Sequence, residues 1–144
     1  SIYHRFASRE ELVARLWLRS IRRFQAPLFT LAERTDPHEA LVEMALHVPR
    51  YCRAHPDEAR ALTLHRHQRL LENCPPGLEA DVRELNVGLD ALTRSMTTRR
   101  FGNVRRRSVE LVVLATRVSP YGLVRPHLGS AVPPVAVPSV SASV

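Results

Sequence analysis

Histidine and cysteine are the residues of this chain best suited to metal or nucleophilic chemistry, and their spacing supports neither. His65 and His67 stand two apart, so on a helix their imidazoles point to different faces, whereas helical metal pairs need a spacing of three or four. Cys52 or Cys74 could join them only across helices, which is the weaker reading; no metal and no cofactor are expected. His47 and Tyr51 lie one turn apart on a shared face. There they could offer polar contacts in a pocket, or simply be half-buried polar residues with local partners. The chain contains no G-x-S-x-G, no phosphate-cradling glycine loop and no H-E-x-x-H, the arrangements that activate a serine, bind a nucleotide or hold zinc. Its acids read as helix caps and surface pairs, so enzymatic activity is not expected. Arg99, Arg100, Arg105, Arg106 and Arg107 crowd one turn. With Phe101 as the sole interleaved aromatic, a solvated turn is favoured over a nucleic-acid patch.

These residues need a folded body to hold them. A length of 144 residues fits one domain with a real core. A hydrophobic share of 44% with 24% charged residues is ordinary for a globular protein. No run is apolar and long enough to span a bilayer, and no basic-then-apolar leader opens the sequence, so a cytoplasmic location without a membrane partner is expected. The net charge of +7 rests on arginine alone, since all 21 basic positions are Arg. That bias fits GC-rich coding, and it equally suits an anionic partner, for which Arg is the better fork. Two cysteines are too few for a disulfide framework and read as reduced small hydrophobes.

The positioning elements read as helices. Ser8-Arg9-Glu10-Glu11 has the form of a capping box. Behind it Val13, Leu16, Trp17, Ser20, Phe24 and Leu28 recur at helical spacing, with Pro27 expected to kink or end the helix. Asp36-Pro37-His38-Glu39 starts a second helix with Leu41, Met44, Ala45, Val48 and Cys52 on its buried stripe, bent at Pro49. After His55-Pro56, a third helix carries Ala61, Leu62, Leu64, Leu70 and Leu71 to Cys74, and Pro75-Pro76-Gly77 breaks the chain. A fourth presents Leu78, Val82, Leu85, Leu89, Leu92 and Met96, ending at Gly102-Asn103. The run Ser108–Ala115 is apolar on almost every side. Its valines alone would allow a strand, but its neighbours are helical and no partner strand is available, so a helix over about 104–118, buried on two faces, is expected. From Gly129 the Val, Pro, Ser and Ala composition lacks periodicity and reads as a loose tail over 129–144. No internal repeat is evident. The body reads as all-α.

The opening string Ser1-Ile2-Tyr3-His4-Arg5-Phe6-Ala7-Ser8-Arg9-Glu10-Glu11-Leu12 resembles the segment that closes the helix-turn-helix of TetR-family transcriptional regulators. There the recognition helix ends roughly T-L-Y-x-x-F and the next begins P-S-K-E-x-L. Ile2, Tyr3, Phe6, Ser8, Glu10 and Leu12 match in type and spacing. Ala7 replaces the usual proline and Arg9 the usual lysine. The order of helices that follows is similar to the family's regulatory domain, so the resemblance covers residues 1 to about 128.

The resemblance implies a division into 1–7, the end of a DNA-binding helix-turn-helix, and 8–128, a helical effector-binding and dimerisation bundle. It places Ser1, Tyr3, His4 and Arg9 at operator DNA, with Arg9 on a phosphate at a helix N-terminus, and makes Phe6 structural. The first two helices of the reading head are not in the sequence. The 144 residues are therefore expected to bind duplex only weakly, without site preference and with steep salt dependence, operator recognition belonging to a full-length protein. A small, mostly apolar effector is implied, with Trp17, Met44, His47, Tyr51, His65, Leu89 and Met96 as candidate lining. A homodimer is implied through the two-sided helix, with Val109, Val112, Val113 and Thr116 as candidate interface. Pro133-Pro134, where the family places its final helix, weakens that pairing. The alternative is a helical ligand-binding or accessory domain with no DNA role.

Overall fold

The computed structural model describes residues 9–64 and 74–128, and every element among them is helical. The expectations placed on Ser1, Tyr3, His4, His65 and the 129–144 tail lie outside the described residues. No helix among the described residues is long and apolar enough to cross a membrane.

Helix α1 spans Arg9–Leu31, opened by Glu10 and Glu11 in its first turn, where carboxylates suit the helix dipole. Its buried face is Ala14, Trp17, Leu18 and Leu28, with Ile21 and Phe24 half-buried. This stripe is displaced from the sequence expectation: Leu18 is 2% exposed and Leu16 52%. Both are leucines within one turn, so periodicity alone cannot choose between them. Pro27 does not end the helix, which runs one more turn to Leu31. Beyond it, Arg99 donates to the carbonyls of Ala32, Arg34 and Thr35 and holds the turn that follows the helix. That arginine is exposed, as expected of the turn, and is held by these carbonyls.

Asp36 caps α2 (Pro37–Ala54) by accepting from the His38 amide at 3.0 Å, with Pro37 as first helical residue. Ten residues of α2 are buried, including the expected Leu41, Met44, Ala45, Val48 and Cys52. It is the central element, packed against the helix before it and against the helices that follow. His55 leaves helical geometry at φ −132°, and Pro56 opens α3 (Pro56–Leu64). Here Ala59 is buried and Ala61 exposed.

Gly77, at φ +92°, turns the chain into α4 (Glu79–Phe101). Leu78 and Val82 anchor its first turns, and Met96 and Thr97 its last. Thr93 and Thr97 are buried because each hydroxyl donates to a carbonyl one turn back, at 2.9 and 2.7 Å. Gly102, at φ +73°, donates its amide to the Thr98 carbonyl at 2.8 Å and closes the helix. Asn103 then links the Phe101 carbonyl to the Arg105 amide.

The final stretch is one helical path: α5 (Arg106–Val113), a π-helical turn (Leu114–Val118), α6 (Ser119–Val124) and a 3-10 turn (Arg125–His127). It outruns the expected end near 118. Pro120 accounts for the π turn, since it lacks an N–H and its ring would meet the carbonyl four residues back, which widening relieves. Nor is α5 buried on two faces. Val112 is 2% exposed, whereas Leu111, Leu114 and Val118 stand 45–55% exposed on the other side.

The core divides into clusters. Leu28, Leu41, Met44, Met96 and Val112 form one. Val48, Cys52, Ala59, Val124 and Leu128 form a second, with Phe24 against it. Ala14, Trp17, Leu18, Leu78 and Val82 form a third, with Ile21, Leu62 and Leu85.

Candidate apolar cavity between the core clusters

The second and third clusters do not close on each other. Between them lies a cavity of about 490 Å³, within the size range of small-molecule sites. Helix α1 contributes Trp17, Ile21 and Phe24, α2 contributes Val48, Tyr51 and Cys52, and α3 contributes Ala59 and Leu62. Tyr121, Arg125 and Leu128 close it from the final helical stretch. A second cavity of about 410 Å³ shares Ile21, Phe24, Val48 and Tyr121 and extends past Leu28, Leu89, Thr116 and Arg117. Three lining positions on α1, at 17, 21 and 24, recur at helical spacing, which is why one helix face can form a whole wall.

The polar groups near this wall are largely committed. The Tyr51 hydroxyl donates to the Glu58 carboxylate, which also pairs with Arg23 at 2.7 Å, so α1, α2 and α3 are tied at one point. Burial and the adjacent carboxylate push the Tyr51 phenol up to about 12, while the tyrosine bond and Arg23 hold Glu58 below its usual value. The phenol is therefore a fixed donor, not a proton-transfer group. His47 turns away from the cavity. Its Nε2 lies 2.7 Å from the Phe24 carbonyl, and a carbonyl only accepts, so His47 carries its proton there. Burial lowers its pKa, outweighing the carbonyl's contrary effect. Phe24, His47, Tyr51 and His55 form a chain of ring contacts with centroids 4.8–5.1 Å apart along its links. Cys52 and Cys74 are free, and burial raises the Cys52 thiol to about 11, so it lines the cavity as an inert hydrophobe. No group of side chains among the described residues could hold a metal ion.

Of the expected lining, Trp17 and Tyr51 face the first cavity and Leu89 the second. Met44 and Met96 do not: both are packed in the first core cluster, 4% and 1% exposed. An unbranched apolar side chain suits a core gap as well as a ligand wall, which is why sequence could not separate the two. His47 instead borders a separate groove with Pro27, Glu43 and Arg50. Of the expected pairing residues, Val112 and Thr116 point inward, 2% and 5% exposed, and Val109 and Val113 are half-buried. The outward apolar residues are Leu111, Leu114, Val118, Tyr121 and Leu123. Arg9 is exposed at the start of α1. Sequence reasoning missed Ile21, Phe24, Ala59, Tyr121, Arg117 and Arg125. The α1 pair was recoverable from its spacing to Trp17; the others depend on where the last helical stretch and α3 dock.

No protein-family model matches this chain, and no curated protein or solved structure matches it significantly.

Proposed function

We propose that this chain is the sensing and pairing body of a TetR-type transcriptional regulator, whose apolar effector occupies the cavity beside Trp17. The observation that carries this reading is the double use of the last helical stretch. Tyr121 and Arg125 close the cavity, while Leu111, Leu114 and Leu123 offer apolar surface to solvent. One element thus borders both the apolar cavity and a face suited to a second copy. A ligand that shifts its position would change how two copies sit, and with them the spacing of attached DNA-reading heads. The resemblance of residues 1–12 to the end of a recognition helix supplies the DNA part of the proposal.

The test is thermal unfolding of the chain with a panel of apolar small molecules. A compound that binds the folded form raises the midpoint progressively with concentration, by about 2.7 kcal/mol of stability at a hundredfold excess over Kd. Failure of every compound to raise it would remove the sensing role. The same cavity would serve a ligand-binding domain with no DNA role. Finding no operator binding by the full-length protein would favour that reading.

A further inference from the structure

Among the described residues, the cavity walls carry cations and no acids. Neither cavity is lined by a carboxylate among the described residues, yet Arg125 borders one and Arg117 the other. Glu58, the acid beside the first cavity, is already engaged by Arg23 and Tyr51. Arg117 is half-buried against Ile21, Leu28 and Val118, and its direct partner is the neutral hydroxyl of Thr93. Asp90 acts on it favourably without forming an ion pair. A guanidinium stays charged in proteins, and holding it against apolar wall without a paired anion costs stability.

We propose that the effector is an apolar carboxylic acid, its head held by Arg117 and its chain running along the shared wall of Ile21, Phe24 and Tyr121 toward Trp17. This rests on the cavity being a ligand site and adds the chemistry of the ligand's head. The planar guanidinium fork fits a carboxylate with two parallel bonds. Arg125, exposed at the first cavity, adds positive potential to the entrance. Thr93 holds Arg117 in place, and Asp90 favours its charge without making a direct ion pair.

Trp17 is the chain's single tryptophan and lines the cavity, so its emission reports binding directly. The experiment titrates residues 1–144 with dodecanoate and with 1-dodecanol, both kept below micelle-forming concentration. Dodecanoate is expected to bind roughly tenfold tighter, the size of a charge-assisted pair. Arg117→Gln should bring the two to equal affinity and Arg117→Lys should restore part of the preference. The preference in the unsubstituted chain should shrink with added salt, a readout that needs no variant to fold. Equal binding of acid and alcohol would overturn the carboxylate assignment while leaving the cavity a ligand site. A preference that survives in a folded Arg117→Gln chain would overturn the role of Arg117. No response of Trp17 to either compound would overturn the carboxylate assignment; whether the cavity binds anything is then read from the thermal panel.

Discussion

Buried threonines in this fold are satisfied within their own helices, and two longer-range polar contacts, those of Arg99 and His47, carry measurable consequences. Thr93, Thr97 and Thr116 each return a hydroxyl bond to their own helix, so they sit in the core without needing a cross-helix partner. Apolar periodicity is blind to such positions. Arg99 ends on three carbonyls after α1; Arg99→Ala should lower stability in urea by about 0.5–1.5 kcal/mol, the net value of a hydrogen bond whose acceptors water can reach, with Arg99→Lys intermediate because it lacks the fork. His47 provides a pH test. Its folded pKa lies below the ordinary 6.5 because burial opposes the charge. The unfolded chain therefore binds more protons as pH falls through that value, and stability should drop there. The fall in melting midpoint between about pH 7.5 and pH 5.5 should be smaller in His47→Gln, which keeps a donor for the Phe24 carbonyl. An identical fall in both chains would contradict that assignment.

Helix boundaries were the most legible feature at the scale of elements. Asp36-Pro37 and Gly102-Asn103 act as read, since an Asx cap and a positive-φ glycine are local chemistry that packing does not override. What failed depended on docking. Leu16 and Leu18 exchange roles on α1, and the helix expected to end near 118 continues past Pro120 by widening one turn, while Pro27, expected to kink or end its helix, does not end it. Gly88, inside α4, has room for a methyl group at ordinary contact distance, 3.8 Å from the Phe29 ring. Gly88→Ala should therefore stabilise the chain by about 0.5–1 kcal/mol, read as a higher urea midpoint with unchanged slope. The outward face of the final stretch gives another test. The chain should sediment partly as a dimer at micromolar concentration, and Leu111→Asp with Leu114→Asp should return it to monomer with helicity intact. Monomer alone in the unsubstituted chain would contradict the proposed pairing.

At the scale of the whole molecule, the described residues form an all-helical body whose core clusters leave apolar space beside Trp17. The all-α class was legible because every long segment carried helical spacing. The existence of the cavity was not, because it arises from three helices and the final stretch failing to converge, and no local pattern records a gap. Trp17, Tyr51 and Leu89 were found as polar-tipped or apolar residues on inward faces; Met44 and Met96 satisfied the same description and fill the core instead. The most direct test of the account fills that gap. Ala59 lines the first cavity and is 4% exposed. The measurement is a titration with a neutral apolar dye such as Nile red, read at Trp17, in the unsubstituted chain and in Ala59→Phe. The account predicts one saturable site per chain that weakens at least roughly tenfold when the added ring occupies the cavity. Equal dye binding in a folded Ala59→Phe chain, or no saturable site in either, would contradict it.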